Sequence, residues 1–539
     1  MTCTLLLLRA PALAAQPTPV AHPAVTVAGE RLIGRAGVAA PGGVFLGVPY
    51  AEPPVGDRRW TPPVPYRARH SERQADRFGP ACPQGRGIDD FLKRLADAFD
   101  GTARLVPWPT ETSEDCLTLN IWTPTLTPGA RRPVMVWIHG GSNVTGGTSQ
   151  AIYDGARLAQ RGVVVVSLNY RLGVLGFFAH PALTAASPLK TSGNYGLLDI
   201  VEALRWVQAN VASFGGDPGQ VTVFGESAGA MNIAHLLGSP LARGLFQRAI
   251  LQSGAPVAKV QSRAEAESVG VTIATALGAT DGDALTRLRS ATSDQLLAAY
   301  AKATPAGGNA LADAAIDHWV IPDATGRRFA TGGATTVPLL IGSTADELTS
   351  LTMLLPTFER TRGGYRSLTD SLFGRVGGFV IRRQYRAPSD TAVESAVVRL
   401  GTDVVFTCPS RFIAERVGAA QQPVYRYLFT RVVPGGEELR AYHSIELGYM
   451  FGNVEPWLPP LPPTDLALSE TMMRYWVNFA VTGNPNGAGL PEWPTAGADG
   501  DRYLELGDPI RVGSGRGKKF CDLYEKALPK QWPSADEER

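Results

Sequence analysis

Beyond its N-terminal tail the chain has no run of about eighteen apolar residues, so no membrane span is expected. It also lacks a charge excess: 51 Lys and Arg against 49 Asp and Glu leave a net +2, and the densest basic stretch, Arg516 to Lys519, is too short to track phosphates. A nucleic-acid partner is therefore not expected. Histidine is scarce, at 7 residues, and His22, His70, His180, His235 and His318 stand at no metal-ligand spacing and in no H-E-x-x-H helix. No G-x-G-x-x-G follows a strand with an acidic residue downstream, which excludes the usual dinucleotide loop. Neither a metal nor another cofactor is implied.

Cysteine is sparse too: Cys3, Cys82, Cys116, Cys408 and Cys521. At the N-terminus Leu5 to Leu8 and Ala10 to Ala15 form an apolar stretch interrupted by Arg9, and Ala12-Leu13-Ala14 has the A-x-A form of a cleavage site. Residues 1–15 are thus expected to be an export signal, and the mature chain to be secreted or periplasmic. Removing Cys3 with the signal leaves four cysteines, an even set compatible with two disulfides in an oxidising compartment, with three pairings open.

What is present fits a packed globular protein, 44% hydrophobic and 19% charged over 539 residues. With no internal repeat and no low-complexity linker, residues 16–539 are expected to form one domain. Val134 to Ile138, Val163 to Leu168 and Val221 to Phe224 are short Val-rich apolar runs, the pattern of strands covered on both faces. Between Asn194 and Phe214, Leu197, Ile200, Val201, Leu204, Val207 and Val211 recur at helical spacing, and Gly215 to Pro218 ends that helix. A further helix is expected over Ala228 to Leu237. Such alternation is that of an α/β fold.

Gly225-Glu226-Ser227-Ala228-Gly229 is the one G-x-S-x-G in the chain and falls between an expected strand and an expected helix. A serine at such a corner is exposed and strained, and the helix N-terminus behind it favours an anion formed when the hydroxyl attacks a carbonyl. His139-Gly140-Gly141 directly follows the strand ending at Ile138, where such folds supply further N–H donors to the same oxyanion.

Several strings carry a more specific resemblance: Phe45-Leu46-Gly47-Val48-Pro49-Tyr50-Ala51, Ser113 to Asn120, Asn169-Tyr170-Arg171-Leu172-Gly173, Phe214 to Pro218, Val223 to Gly229, and Leu251-Gln252-Ser253-Gly254. In this order, from about Val44 to about Leu528, the chain resembles the type-B carboxylesterases, relatives of the cholinesterases. The resemblance implies an α/β-hydrolase fold: a central, mostly parallel sheet flanked by helices, with large insertions forming an active-site gorge. It implies hydrolysis of small-molecule carboxylic esters by Ser227 as nucleophile, His443 as base and then acid, and Glu347 as the triad acid. The chain order Ser, acid, His agrees. It assigns the oxyanion donors to the N–H groups of Gly141, Ser142 and Ala228, and pairs Cys82 with Cys116 and Cys408 with Cys521. Asn143, Glu226 and Trp108 are candidates for the substrate pocket.

The chain also departs from that family. Ser142 and Asn143 stand where a third glycine and an aromatic are frequent, so a more polar acyl pocket is expected. Ile200 stands where Gln is common, Leu348 where Gly commonly follows the acid, and Ser444 where Gly commonly follows the His. Trp108 sits at a different offset from Cys116 than the choline-stacking tryptophan of cholinesterases. A non-catalytic binding module is the alternative of another class, opposed by the joint retention of Ser227, Glu347 and His443. An amidase or acyl transferase would differ only in leaving group or acceptor. Asp346, beside Glu347, competes for the acid role.

Overall fold

The computed structural model describes residues 22–37, 42–85, 89–99, 111–258, 260–279, 282–303, 314–351, 358–454, 461–497 and 500–532. The expected signal, 1–15, and Trp108 lie outside them.

Ten strands form one sheet: β1 (Gly43–Pro49), β2 (Thr118–Thr123), β3 (Arg132–Ile138), β4 (Val164–Leu168), β5 (Gly216–Glu226), β6 (Arg248–Gln252), β7 (Leu339–Thr344), β8 (Val424–Phe429), β9 (Arg502–Leu506) and β10 (Arg511–Ser514). Their spatial order is β10-β9-β8-β7-β6-β5-β3-β4-β2-β1. From β4 to β9 every neighbouring pair is parallel, while β10 and the β1–β2 end join antiparallel.

The Val-rich runs are explained by burial on both faces. On β3, Val134, Val136 and Ile138 enter one apolar cluster, whereas Met135 and Trp137 enter another. Alternate side chains of a strand point to opposite sides, so a strand covered twice must be apolar throughout. Each fully buried aliphatic or aromatic side chain of this kind contributes about 1.5–3 kcal/mol over its exposed state. Helices α1 (Tyr195–Asn210), α2 (Ala228–Gly238) and α3 (Cys408–Ala419) pack on the first face. Helices α4 (Glu446–Phe451) and α5 (Pro463–Thr482) pack on the second, through Tyr449, Phe451, Met472, Met473, Trp476 and Phe479. Helix α6 (Lys518–Ala527) returns to the first face with Phe520.

The expected strands and helices are present, with two differences. Strand β5 begins at Gly216, because the Gly215–Pro218 stop pairs with β3 before the apolar run starts, with a register shift between Arg132 and Val134. Helix α1 is not buried along one face only: Leu198, Asp199 and Glu202 are buried as well. Arg171 donates from Nε and Nη2 to the two oxygens of Asp199 on this helix at 2.8 and 2.7 Å. Periodicity cannot register a polar face that is covered by an ion pair.

Candidate active site

Strands β3, β5, β7 and β8 are linked through β6 by parallel pairing, so all their C-terminal ends open on one edge of the sheet. The loops at that edge carry His139-Gly140-Gly141, Ser227, Glu347 and His443. Residues scattered over some three hundred positions of sequence thereby face a common space.

Ser227 sits between β5 and α2 at φ 54° and ψ −124°. This strained corner costs a non-glycine residue about 1–3 kcal/mol. Its N–H donates to Gln252 O at 2.8 Å and its carbonyl accepts from Met231 N at 2.9 Å. Both elbow glycines are required by close approach: a Cβ at Gly229 would lie 2.0 Å from Ile138 O, and one at Gly225 2.8 Å from the same oxygen. The chain can therefore turn here only because neither position carries a side chain.

The loop after β3 lies against this corner, since a Cβ on Gly140 would fall 3.1 Å from Ser227 Cβ. Gly141 at φ 103°, Ser142 at 56° and Asn143 at 57° form a left-handed run, and Gly141 O accepts from Val144 N and Thr145 N. Ala228 presents the first N–H of α2, where the helix dipole is positive. His139 stabilises the loop: its ring stacks on Tyr170 at 4.6 Å, and its Nδ1 lies 2.8 Å from Gly140 O. Burial holds its pKa down at about 4, so it is neutral. Gln84 braces the far end, with Oε1 accepting from Gly146 N at 2.8 Å and Thr145 Oγ1 at 2.7 Å, and Nε2 donating to Gly146 O at 2.8 Å. It stands two residues past Cys82, which is bonded to Cys116.

On the other side, Glu347 begins a short turn after β7 and is fully buried. Its Oε2 is 2.5 Å from His443 Nδ1, and its Oε1 accepts from Thr344 N at 2.8 Å. Its neighbour Asp346 points elsewhere, pairing with the exposed Arg440 at 3.1 Å. His443 Nε2 lies 3.0 Å from Glu226 Oε1, and among the described residues no hydrogen bond joins it to Ser227 Oγ. Burial works against a charged imidazole, but Glu226 on one nitrogen and Glu347 on the other outweigh it and raise the His443 pKa to about 9. A third buried carboxyl, Glu446 on α4, is raised to about 8, chiefly by burial and then by Glu226 and Glu347. Burial likewise raises Glu226, opposed by His443 and Ser444. The ring of Phe406 packs on His443 at 5.3 Å, and that segment runs into Cys408, bonded to Cys521 on α6. Both disulfides pair as expected.

The structure thus brings together Ser227, His443, Glu347, Glu226, Gly141, Ser142 and Ala228. Asn143 is buried: its Oδ1 accepts from Asn232 Nδ2 at 2.8 Å and Tyr170 OH at 3.2 Å, and its Nδ2 donates to Asn232 Oδ1 at 3.3 Å. Gln84, Asn232, Gln252 and Glu446 were missed in the sequence. Glu446 lies three residues after His443, but nothing in the local pattern distinguishes a buried carboxylate from one on a solvated helix turn. A cavity of about 270 Å³ between α1 and the N-terminal segment, lined by Tyr50, Tyr66, Glu202 and Trp206, involves none of the residues at this edge.

A mostly parallel sheet with helices on both faces and a serine on a strand-to-helix corner defines an α/β-hydrolase. The sequence matches the carboxylesterase family over residues 21–524, and the chain belongs to that family, whose members hydrolyse carboxylic esters. It is 37% identical over 484 residues to the fumonisin B1 esterase of Sphingopyxis macrogoltabida, covering 88% of this chain and 85% of that one. It is 34% identical over 525 residues to the liver carboxylesterase of Sus scrofa, covering 91% and 90%. Carboxylesterase 1D of Rattus norvegicus gives the same identity and coverage.

Proposed function

We propose that the chain hydrolyses carboxylic esters through a Ser227–His443–Glu347 triad and an acyl-enzyme intermediate. The observation that carries this is a buried imidazole gripped at Nδ1 by Glu347 at 2.5 Å, on the same sheet edge as a serine held at φ 54°. Nδ1 on a carboxylate fixes the tautomer that leaves Nε2 to accept a proton. The reactive form is the neutral imidazole, after Nε2 has given up its proton to solvent; Nε2 then leaves Glu226 for Ser227 Oγ and takes the hydroxyl proton as the oxygen attacks the ester carbonyl. The N–H groups of Gly141, Ser142 and Ala228 receive the oxyanion, each contributing about 3 kcal/mol to the transition state. His443 then protonates the departing alcohol. Water, deprotonated by the same nitrogen, releases the acid and restores Ser227.

The substrate class is a small-molecule ester. Because a relative is named for fumonisin B1, that compound belongs in a panel with short-chain aryl, alkyl and polycarboxylic esters. The paired disulfides support an export route to the secreted or periplasmic space. Among the described residues no helix is long and apolar enough to cross a membrane.

The test is covalent labelling with an organophosphonate followed by peptide mapping. One adduct, on Ser227, is expected, with turnover falling about a millionfold in Ser227→Ala while the fold persists. Ser253, fully buried, should stay unlabelled. Labelling of Ser253, or undiminished turnover by Ser227→Ala, overturns the assignment.

A further inference from the structure

Ser444, which follows His443, is, with Ile200 and Leu348, one of three departures from the family to which the sequence assigned no consequence. In the structure it adopts φ +73°, a left-handed conformation that glycine enters freely and serine only with strain. Its hydroxyl donates to Glu226 Oε1 at 2.6 Å. The same oxygen lies 3.0 Å from His443 Nε2. One carboxylate oxygen, on the residue preceding Ser227, is thus shared between the hydroxyl of Ser444 and the nitrogen that must reach Ser227.

We propose that Ser444 is a positioning residue for ester hydrolysis: its hydroxyl fixes the Glu226 carboxylate against His443 Nε2 and so sets how that nitrogen divides between Glu226 and Ser227. The proposal rests on the assignment of Ser227 and His443 as nucleophile and base. A strained backbone is kept only where the surroundings over-determine it, and here the hydroxyl bond is what a glycine would forfeit. Glu226 is buried, and its Oε2 lies beside Gly140, where an added Cβ would come within 2.8 Å of it.

The groups facing this pair come from every element packed on it. Glu347 reaches His443 from the turn after β7, and Glu446 from α4 acts on both His443 and Glu226. Tyr427 on β8 donates its hydroxyl to Glu446 Oε1 at 3.4 Å, and Tyr153, beside Trp137 and Phe451, stands near Glu226; both are neutral phenols. Against that fixed background the hydroxyl of Ser444 favours the ionised form of Glu226, and ionised Glu226 favours protonated His443. Removing the hydroxyl lets Glu226 take a proton more readily, which withdraws support from the imidazolium. His443 then loses its proton at lower pH, and the acid limb of the activity profile moves to lower pH.

The experiment is the pH dependence of kcat/KM on an uncharged ester for Ser444→Ala and Ser444→Gly. Both variants lack the hydroxyl, but the first keeps the backbone strain and the second relieves it. Both are expected to move the acid limb down by about half a pH unit or more, with the glycine variant melting higher than the alanine one. In a Glu226→Gln background, Ser444→Ala should add no further shift, because the group it acts through is gone. An unmoved acid limb in both variants overturns the proposal, as does a shift in Ser444→Ala that Ser444→Gly abolishes, which would mean the backbone alone matters. Phosphonate labelling of the wild-type protein separates the two levels. Failure to label Ser227 removes the nucleophile assignment, whereas normal labelling with an unmoved limb removes only the role of Ser444.

Discussion

The two halves of the site are built from different materials. On the side of β3 and β5, backbone does the work: the elbow at Ser227, the left-handed run Gly141 to Asn143 and the first N–H of α2 owe their form to glycines and close main-chain approach. Around His443 the same edge is furnished with buried side-chain charge: Glu347 after β7, Glu446 on α4 and Glu226, which reaches across from the last position of β5. Main-chain geometry tolerates almost no added atom, and so fails steeply. A cluster of carboxylates shares its protons, and so responds by degrees to pH and to single exchanges.

The largest expected effect probes the charged half. Glu347→Gln should keep the fold and lower kcat about ten-thousandfold, because an amide at Nδ1 cannot stabilise the imidazolium formed as Ser227 attacks. Asp346→Asn should change kcat little, since its carboxylate pairs with Arg440 near the surface. The opposite pattern in steady-state kinetics would exchange the two acids.

Each half also has its own disulfide, Cys82–Cys116 beside Gln84 and Cys408–Cys521 beside Phe406. The bridged residues are 34 and 113 positions apart, for which the chain-entropy model gives roughly 4 and 5 kcal/mol. Reduction should lower the melting temperature. Replacing the first pair by serine should weaken the oxyanion side, read as a lower kcat in enzyme that still labels at Ser227.

On the backbone half, Gly229→Ala places a methyl group 2.0 Å from Ile138 O. A loss of about 1–3 kcal/mol or more is expected, with activity falling as the Ser227 corner shifts. Unchanged melting and unchanged turnover would show the corner to be more pliable than its geometry implies.

The smallest effect is a slope. His443 is raised to about 9 and Glu446 to about 8, so between their ordinary values and these the folded state binds more protons than the unfolded chain. Their contribution to stability is present at low pH and is lost as pH rises through the folded values. Melting temperature should therefore decline from about pH 6 to pH 9, and Glu446→Gln should flatten the lower part of that decline. A melting temperature that rises over this range would mean the cluster is not protonated as its burial requires.

Much of the backbone half was legible in the chain, because its requirements are local. Gly225-x-Ser227-x-Gly229 after an apolar run announces a corner, and His139-Gly140-Gly141 announces a loop at the same edge. The charged half was legible only in part. Glu347 and His443 came from resemblance, and the choice between Asp346 and Glu347 had no local signal, since both follow the same strand. Geometry separates them: one carboxylate turns inward to His443 and the other outward to Arg440. Asn143 was legible as a polar residue in the loop after β3, but not its partners Asn232 and Tyr170, 89 and 27 positions away.

The sequence by itself determined three central strands of the sheet, the corner serine and the family, because these depend on residue type and short spacing. Only the tertiary structure decided what each polar group faces. It placed Gln84 against Thr145 and Gly146 of the loop after β3, gathered Glu226, Glu347 and Glu446 around one imidazole, and turned the hydroxyl of Ser444 onto Glu226. Hydrogen-bond partners and buried charges are settled by distances of about three ångströms between segments far apart in the chain, and a one-dimensional pattern carries no such distances.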